Sequence, residues 1–437
     1  MSQSSSENVA TTSSKLPWAE PAWHGALESP YYNDSHRKLQ AYARKYIDEN
    51  IIPHALEWEA QGDCPESART SYLKSGLSLL DVPMEYRPAD FRTVAGIPVD
   101  RLDVFHQLIL TDEGARFEGG VGAGLSGGAN VIGLPPVIHH GTAAQKRRWL
   151  PGLFTRDVSF CLGITEPSGG SDVGSIRTRA VRSADGRFYT VTGTKKWITG
   201  AQWATHMTTA VRTGGPGPGG ISLLVVPLKG TAGVSIDKIA NSGQNAGGAS
   251  WVRLDGVQVP AENLLGAENA GFKYVMTNFN KERFVMAAGC NRKARTCLAT
   301  ALAYAHDRET FGRPLASHQL IRHKLVTLAR EVEAQWAWLE QIAYHVQAHG
   351  WQDDSIAGRI ALAKVTGGRL LELAAREAQQ VMGGVAYQRG GPGGGGVVEQ
   401  ITRDLRMMVV GGGSEEILGE LAFREEIKHA KKRGLKL

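Results

Sequence analysis

The chain has 437 residues, of which 42% are hydrophobic and 21% charged, and its formal net charge is +6. These values are typical of a globular protein of two or three domains, and at this length the hydrophobic core is large enough to stabilise the fold. The basic excess is small, and part of it lies in the C-terminal KHAKKRGLKL, which we interpret as a solvated segment rather than a surface for acidic partners.

Cysteine spacing, apolar runs and the chain ends narrow the class of protein further. Cys64, Cys161, Cys290 and Cys297 show no CxxC spacing and no accompanying His cluster, so we predict neither a metal site nor a disulfide framework. No run of about 18 apolar residues occurs, so we predict no membrane span. MSQSSSENVATTSSK lacks the features of a signal or mitochondrial transit peptide, and the terminal LKL only partly matches the peroxisomal SKL. We therefore expect a cytoplasmic or peroxisomal location.

The first third of the chain is predicted to be mainly helical. We expect residues 1–35 to form a disordered or extended tail because they are rich in Ser and Thr at their start. Beyond them, Leu39, Ala43 and Ile47 recur at helical spacing, and similar stretches continue up to AAQKRRWLPGLF. We assign residues 36–157 to an N-terminal helical domain.

The middle and the end of the chain differ in composition. Residues 158–262 contain short runs rich in β-branched and aromatic residues between Gly, Pro and Asn turns, which predicts a small β domain. Helical periodicity returns over about 271–307, 316–349 and 353–383, so residues 263–437 are predicted to form a helical bundle. The predicted fold class is therefore α+β, with helical, β and helical domains in that order.

The segment QRGGPGGGG, residues 388–396, interrupts the last domain. Because so many glycines disfavour a helix, we predict a flexible loop. The segment lacks the Lys-Ser/Thr ending of a phosphate-binding P-loop.

A carboxylate lies on an apolar helix face in MTNFNKERFVMAAG, residues 276–289. Val275, Phe279, Met286 and Cys290 share that face with Glu282. The charged form of a carboxylate is costly to bury. Glu282 is therefore either a core acid held by a neighbour such as an Arg, or a group whose chemistry the protein uses.

Two segments of the β domain, CLGITEPSGGSDVGSIRT and GTKKWITGAQWA, combine small residues with Thr and Ser at strand ends. Such residues let backbone amides and hydroxyls approach a planar ligand, and Trp197 offers a flat apolar wall. Alone, these segments are also explained as ordinary turns.

Seven motifs in order make the chain resemble the acyl-CoA dehydrogenase family. They are HHGTAAQKRRWLP, TEPSGGSD, KKWITG, NKERFVMAAG, RETFGRPLASHQ, QQVMGGVAY and RDLRMMVVGGGSEEILGELAFRE. The resemblance covers nearly all of the chain after about residue 36. It implies a helical domain, a β domain and a C-terminal four-helix bundle, with FAD as cofactor and a homodimer or homotetramer as the assembly.

The resemblance also assigns residues to the flavin ring. Leu162, Ile164 and Thr165 match the stretch that runs along the ring, with Thr165 near flavin N5. Trp197 and Thr199 match the residues that shield the other face of the ring and bond the N5 region.

A second group of residues matches the rest of the cofactor. Ser171 matches a position near both the flavin pyrophosphate and the substrate, and Arg308 and Phe311 match the site where a neighbouring subunit holds the ADP half of FAD. An Arg fork suits pyrophosphate oxygens. The same ADP site is implied for Gln319, Gln380, Gly383 and Gly384. Without the resemblance, the residues of this site would be interpreted as a surface Arg, a core Phe and helix-terminal glycines.

The catalytic base is the point at which family members differ. Many carry a Glu in the C-terminal motif, where this chain has Gly412 in VVGGGSEEI. Members resembling isovaleryl- and long-chain acyl-CoA dehydrogenases instead place the base on the first bundle helix, at the position of Glu282. The resemblance therefore implies Glu282 as the base, the Gly412 amide as a donor to the thioester oxygen, and Arg283 close to the bound acyl-CoA. We do not assign the base to the nearby Glu415 or Glu416.

The implied activity is FAD-dependent α,β-dehydrogenation of an acyl-CoA, or another acyl thioester, to the trans-2-enoyl product. The flavin N5 accepts the hydride, and an electron-transfer flavoprotein then takes the electrons. An oxidase or monooxygenase of the same fold, with dioxygen as acceptor, stays open, although the acid at position 282 favours dehydrogenation. A DNA-binding flavoprotein is a third alternative, against which the small basic excess argues. Acyl chain length and branching are left open.

Overall fold

The structure is a computed structural model that describes residues 16–434 and 436. Residues 1–15 of the expected tail, and Leu435 and Leu437 of the terminal LKL, lie outside the described residues. The α-helices are α1 (Asp34–Asn50), α2 (Ala55–Gln61), α3 (Glu66–Lys74), α4 (Val104–Gly114), α5 (Val121–Leu125), α6 (Asn130–Gly133), α7 (Pro135–His140), α8 (Ala143–Trp149), α9 (Gly271–Asp307), α10 (Gln319–His349), α11 (Ala357–Met382), α12 (Gly395–Val410) and α13 (Glu415–Lys432).

The strands form one large sheet and two small hairpins. They are β1 (Thr93–Val94), β2 (Ile97–Pro98), β3 (Phe160–Gly163), β4 (Arg179–Arg182), β5 (Phe188–Ile198), β6 (His206–Arg212), β7 (Ile221–Pro227), β8 (Val234–Lys238), β9 (Ser250–Pro260), β10 (Leu264–Leu265), β11 (Glu309–Thr310) and β12 (Arg313–Pro314). The predicted α+β class, with helices before and after a central sheet, is confirmed.

The chain folds into two compact units. One, the helical unit, contains residues 16–56, 103–119 and 280–434, and the other, the sheet unit, contains residues 57–102 and 120–279. The helices predicted as one N-terminal domain are thus divided, since α1 and α4 belong to the helical unit whereas α3 and α5–α8 belong to the sheet unit.

The helical unit owes its core to apolar residues spaced three or four apart along its long helices. On α10, Leu325, Leu328, Val332, Trp336 and Leu339 are all buried, which gives one continuous apolar face. Such faces stabilise helices by packing against one another. The helices predicted over 271–307, 316–349 and 353–383 correspond to α9, α10 and α11.

Part of the expected tail contributes to this core. Trp23 and Tyr32 are buried, and their rings stack with centroids 4.0 Å apart. The Tyr32 hydroxyl donates to Glu340 on α10 at 2.8 Å. Residues 16–33 therefore differ from a disordered or extended segment, because two of their aromatic side chains pack against distant helices.

The large sheet of the sheet unit has the strand order β10-β7-β6-β4-β5-β9-β8, and β3 pairs in parallel with β6. Strand β7 is buried on both faces, as its apolar sequence ISLLVV predicts. Leu223 and Val225 join the cluster that includes residues of α7 and α8, whereas Leu224 and Val226 join the cluster on the other face. This burial fixes the ends of the strands from which the TEPSGGSD and KKWITG motifs extend.

Close backbone packing explains several glycines in QRGGPGGGG. A Cβ at Gly391 would lie 2.2 Å from the Val385 carbonyl oxygen, and a Cβ at Gly396 would lie 2.7 Å from the Gly390 Cα. Helix α12 begins within the segment, at Gly395. The prediction of a flexible loop therefore missed both the helix start and the steric reason for the glycines. Among the helices within residues 16–434, none has the length and apolarity that crossing a membrane requires.

Candidate active site

Glu282 lies on α9 in the helical unit and is neither fully buried nor fully exposed. The surrounding protein raises the pKa of Glu282 to about 8, because burial disfavours the charged carboxylate. The neighbouring Arg283 guanidinium opposes this shift without cancelling it. A carboxyl with this pKa titrates close to neutral pH, which suits a group that accepts a proton in catalysis.

Gly412 lies in a turn of three glycines between α12 and α13. Its φ of +67° is in the left-handed region, where a side chain costs roughly 1–2 kcal/mol. A Cβ at this position would also lie 2.9 Å from the Met286 Sδ of α9. An acidic side chain at 412 would therefore be strained in this backbone conformation.

Arg283 connects the two predicted catalytic positions. It follows Glu282 in α9, is 6% exposed, and donates from Nε to the Gly412 carbonyl oxygen at 2.9 Å. Within residues 16–434, the Gly412 N–H has no backbone acceptor. The predicted base and the predicted amide donor thus belong to one arrangement that Arg283 holds together.

Of the two acids that follow Gly412 most closely in sequence, one is bound by an Arg and the other is exposed. The Glu415 carboxylate accepts two hydrogen bonds from Arg369, at 2.9 and 3.1 Å. Glu416, on the first turn of α13, is exposed.

In the sheet unit, a buried ion pair holds the TEPSGGSD segment beside KKWITG. The Lys195 ammonium donates to the Glu166 carboxylate at 2.8 Å and to the Ile164 carbonyl at 3.0 Å. The Lys196 N–H donates to the Thr165 carbonyl at 2.9 Å. Two segments 29 residues apart in sequence are therefore joined at the residues that the flavin ring would contact.

The residues matched to one side of the flavin lie on β3 and directly after it. Leu162 is half-buried on the strand, and beyond its end Ile164 is buried and Thr165 is half-buried. Ser171 is exposed on the loop that begins at Glu166. The half-buried Thr165 hydroxyl and the exposed Ser171 suit hydrogen bonding to a polar ligand.

Trp197 has an uncommon backbone. Its φ is +66°, its side chain is 51% exposed, and the pairing of β5 with β9 is irregular between Lys195 and Ile198. The Lys196 ammonium lies 4.6 Å from the Trp197 ring centroid and 4.5 Å from that of Trp251. Strained, exposed aromatic residues concentrate at ligand sites, and the next residue but one, Thr199, is half-buried.

The residues matched to the ADP half of FAD are all exposed in this chain. Phe311 is 96% exposed with φ +53°, in the hairpin between β11 and β12, and Arg308 precedes that hairpin. Exposure of an Arg and an aromatic ring together is what a nucleotide site shared with a second chain requires. The remaining members of this exposed set are Gln319, Gln380, Gly383 and Gly384. Taken separately, the matched residues of the sheet unit suit a flavin ring, and those of the helical unit suit the ADP half of FAD.

Sequence reasoning missed Glu166, Lys195 and Lys364. Glu166 and Lys195 lie inside quoted motifs, but their pairing depends on strand positions. Lys364 lies among the buried Ile360, Ala361 and Ala363 of α11, so a charge on an apolar face was the available signal, as it was for Glu282.

Two groups of His and acidic residues also come together in the helical unit. His36, Asp103 and His106 form one group, with potential ligand atoms within 4.8 Å of one another. His36 and His106 are the N3 residues of the capping boxes of α1 and α4, so helix capping explains them. The second group is Glu20, His24 and Asp112, where Arg292 pairs with both Glu20 and Asp112.

Comparison with known proteins gives one family over most of the chain. The model described as acyl-CoA dehydrogenase, N-terminal domain, matches residues 33–157, the middle-domain model matches 161–257, and the C-terminal-domain model matches 269–426.

Similar chains and structures carry the same description. Acyl-CoA dehydrogenase apdG of Emericella nidulans is 40% identical, over 95% of this chain and 96% of its own. Acyl-CoA dehydrogenase AFT10-1 of Alternaria alternata is 41% identical, over 95% of this chain and 96% of its own. A crystal structure of a probable acyl-CoA dehydrogenase from Mycobacterium abscessus is 32% identical with a TM-score of 0.80, covering 90% of this chain and 99% of that chain.

Proposed function

We propose a reaction for this chain from the premise that it belongs to the acyl-CoA dehydrogenase family. As a member of that family, it is an FAD-dependent oxidoreductase. The proposed reaction is α,β-dehydrogenation of an acyl-CoA thioester to the trans-2-enoyl-CoA. The observation that carries this proposal is a carboxyl of raised pKa, Glu282, beside the Arg283 that holds the Gly412 carbonyl.

Glu282 is proposed as the base that removes the proton from the carbon next to the thioester carbonyl. Its raised pKa makes the carboxylate a better proton acceptor than an ordinary glutamate. The chain has a glycine at 412 whose φ disfavours a side chain, and a Cβ added there would lie 2.9 Å from the Met286 Sδ. These features support assignment of the base to 282.

The Gly412 N–H is proposed to donate to the thioester carbonyl oxygen. Negative charge develops on that oxygen as the proton leaves, so a fixed donor lowers the barrier. Removal of one such donor typically costs about 3–4 kcal/mol. Arg283 supports this role by binding the carbonyl of the same residue, whereas direct contact of Arg283 with acyl-CoA stays a prediction.

Bound FAD supplies the hydride acceptor, so loss of a proton and a hydride leaves the enoyl thioester. Leu162, Ile164, Thr165, Trp197 and Thr199 are proposed to hold its ring system. Ser171 is proposed to lie near the pyrophosphate and the substrate. The exposed Arg308 and Phe311, with Gln319, Gln380, Gly383 and Gly384, are proposed to hold the ADP half across a subunit boundary, so we infer a homodimer or homotetramer.

The test is anaerobic mixing of the FAD-bound protein with a panel of acyl-CoAs that differ in chain length and branching. We expect at least one to bleach the visible flavin absorbance, with a product two hydrogens lighter by mass spectrometry. Bleaching by dithionite but by no acyl-CoA would contradict the proposal. Acyl carrier protein thioesters in the same panel would reveal a different carrier.

The second candidate, an oxidase or monooxygenase, differs in how fast dioxygen reoxidises the reduced flavin. An electron-transfer flavoprotein as acceptor predicts slow reoxidation by dioxygen and rapid reoxidation by that flavoprotein. Rapid reoxidation in air with formation of peroxide would favour the oxidase.

A further inference from the structure

Lys364 is a buried cation whose position the proposed reaction does not yet explain. It lies on α11, is 1% exposed, and has buried apolar neighbours along the helix. Its ammonium donates to the carbonyl oxygens of Val409 and Gly413, the latter at 2.9 Å. Within residues 16–434, no carboxylate lies within ion-pair distance of this ammonium. The Glu415 carboxylate, which acts on it at longer range, is bound by Arg369. Burial of an ammonium on carbonyl groups is costly, so the position calls for an explanation beyond packing.

The bound carbonyls bracket the three-glycine turn. Val409 is among the last four residues of α12, whose carbonyls have no partner within the helix and carry partial negative charge. Gly413 ends the glycine run, and Arg283 binds the carbonyl of Gly412 between them. Lys364 of α11 therefore holds this short stretch of backbone at both ends, and Arg283 of α9 holds it at Gly412 in between.

The three glycines explain why the turn needs these hydrogen bonds from Lys364 and Arg283. Gly411, Gly412 and Gly413 have φ values of −63°, +67° and +114°. Glycine populates many backbone conformations at similar energy, so three in succession allow the peptide between 411 and 412 to rotate. That peptide carries the Gly412 N–H, and rotation would direct the N–H away from the substrate.

We propose that Lys364 is a positioning residue that fixes the direction of the Gly412 N–H through its bonds to the carbonyls of Val409 and Gly413. The inference rests on the proposed function, in which that N–H donates to the thioester oxygen. A side chain with no atom in the reaction thereby controls the strength of the carbonyl contact.

Lys364→Met tests the proposal because methionine has a similar volume and no donor. We expect kcat to fall by about 10- to 100-fold, less than the factor of about 10²–10³ for removal of a donor. The contact concerns the carbonyl group, so binding should lose its preference for an acyl-CoA thioester over an alkyl-CoA thioether, which lacks that oxygen. A purely structural role would weaken both ligands equally and leave the preference unchanged, which would overturn the proposal.

Lys293→Met is the matched control. Lys293 lies on α9, is 5% exposed, and donates to the carbonyl oxygens of Ala115 and Phe117 at 3.4 and 3.1 Å. Unlike Lys364, it also forms an ion pair with the buried Glu118 carboxylate. It is thus a buried lysine that binds backbone carbonyls but does not contact the glycine turn, and its loss should cost at least as much stability as the loss of Lys364. We expect Lys293→Met to lower the thermal midpoint and to keep the thioester preference. An equal loss of preference in both variants would contradict a specific role for Lys364.

Amide hydrogen exchange measures the rigidity of the glycine turn independently of the reaction. In the FAD-bound protein, Lys364→Met should accelerate amide exchange in residues 409–414, and Lys293→Met should not. If Lys364→Met fails to fold, Lys364→Arg, which keeps a cation, should fold and retain part of the preference. Unchanged exchange in the turn would overturn the role of Lys364. Failure of every acyl-CoA to bleach the unaltered protein would instead overturn the proposed function, whatever the exchange result.

Discussion

Glu166 of the sheet unit and Glu282 of the helical unit are two glutamates whose pKa values the protein shifts in opposite directions. Burial raises the pKa of Glu166, but the Lys195 ammonium and the N–H groups of Arg177 and Thr178 outweigh it, so the pKa is lowered. Burial raises the pKa of Glu282 to about 8, and Arg283 opposes that shift only in part. Desolvation is the largest influence on both groups, and the opposing contacts decide the outcome.

The difference distinguishes an acid that holds structure from an acid that can exchange a proton. Glu166 accepts bonds at 2.8, 2.6 and 2.9 Å, so its charged form is stabilised and has no tendency to take up a proton near pH 7. Glu282 has the opposite property.

Glu282→Gln gives the largest expected effect on chemistry. The change keeps the size of the side chain and removes the proton acceptor, so acyl-CoA should bleach the flavin about 10²–10⁴-fold more slowly. Stopped-flow absorbance under anaerobic conditions measures this rate. FAD content and fold should be retained, since the variant removes a charge that is costly to bury.

The control for this change is Glu416→Gln, at an exposed acid close in sequence to Gly412. It should bleach at the rate of the unaltered protein. Normal bleaching by Glu282→Gln would show that another group removes the proton.

Glu166→Gln should produce the converse result, a large effect on stability. It leaves the Lys195 ammonium buried without its carboxylate, a change that typically costs about 3–5 kcal/mol. Thermal unfolding followed by circular dichroism should show a much lower midpoint, while bleaching per bound flavin persists.

The double variant Glu166→Gln/Lys195→Met removes both charges and should recover much of that stability, because the desolvation cost of the pair disappears with it. A double variant as unstable as the single one would show that the hydrogen bonds to backbone, rather than the charge pair, set the loss.

The long elements and the candidate acid could be predicted because their signals are local. The predicted helix over 271–307 corresponds to α9, since its apolar spacing is continuous, and Glu282 was conspicuous on that apolar face. The stacking of Trp23 on Tyr32, and the packing of both against α10, could not be predicted because they depend on tertiary contacts.

The same limit applies to the supporting residues of the candidate site. Lys364 lies 45 and 49 residues from the carbonyls that it binds, and no spacing rule connects them. The left-handed φ of Gly412 was also beyond prediction, because glycine at a turn is compatible with several conformations.

The pH dependence should differ in sign between the two acids. Glu282 must be ionised to accept a proton, so the bleaching rate should rise with pH and level off above about 8. Between its unfolded pKa of 4.5 and about 8, the native state binds more protons than the unfolded state, so Glu282 lowers stability as pH rises. Glu282→Gln should therefore gain thermal midpoint over the unaltered protein from about pH 5 to about pH 9.

Glu166 reverses that relation because its folded pKa is lowered. Its contribution to stability is present above the unfolded pKa and is lost as pH falls through the folded value. The deficit of Glu166→Gln should therefore shrink on acidification, measured as the difference in thermal midpoint. A bleaching rate independent of pH would contradict the role of Glu282. A change of thermal midpoint with the same sign in Glu282→Gln and Glu166→Gln would contradict the opposite pKa shifts of the two acids.

Gly412→Ala should give the smallest effect and tests why the acid lies on α9 instead of in the glycine turn. The new methyl group adopts a left-handed conformation at a cost of roughly 1–2 kcal/mol and meets the Met286 Sδ, yet the N–H remains. Gly256→Ala is the matched control, since its φ is +62° and no atom lies within 4 Å of the new Cβ. Both variants should lose similar thermal stability, but only Gly412→Ala should slow bleaching, by less than the factor of about 10²–10³ for a lost donor. Because the contact is with a flexible methionine, adding Met286→Ala should restore part of the rate; equal bleaching in the two alanine variants would show that the Met286 contact does not control the turn.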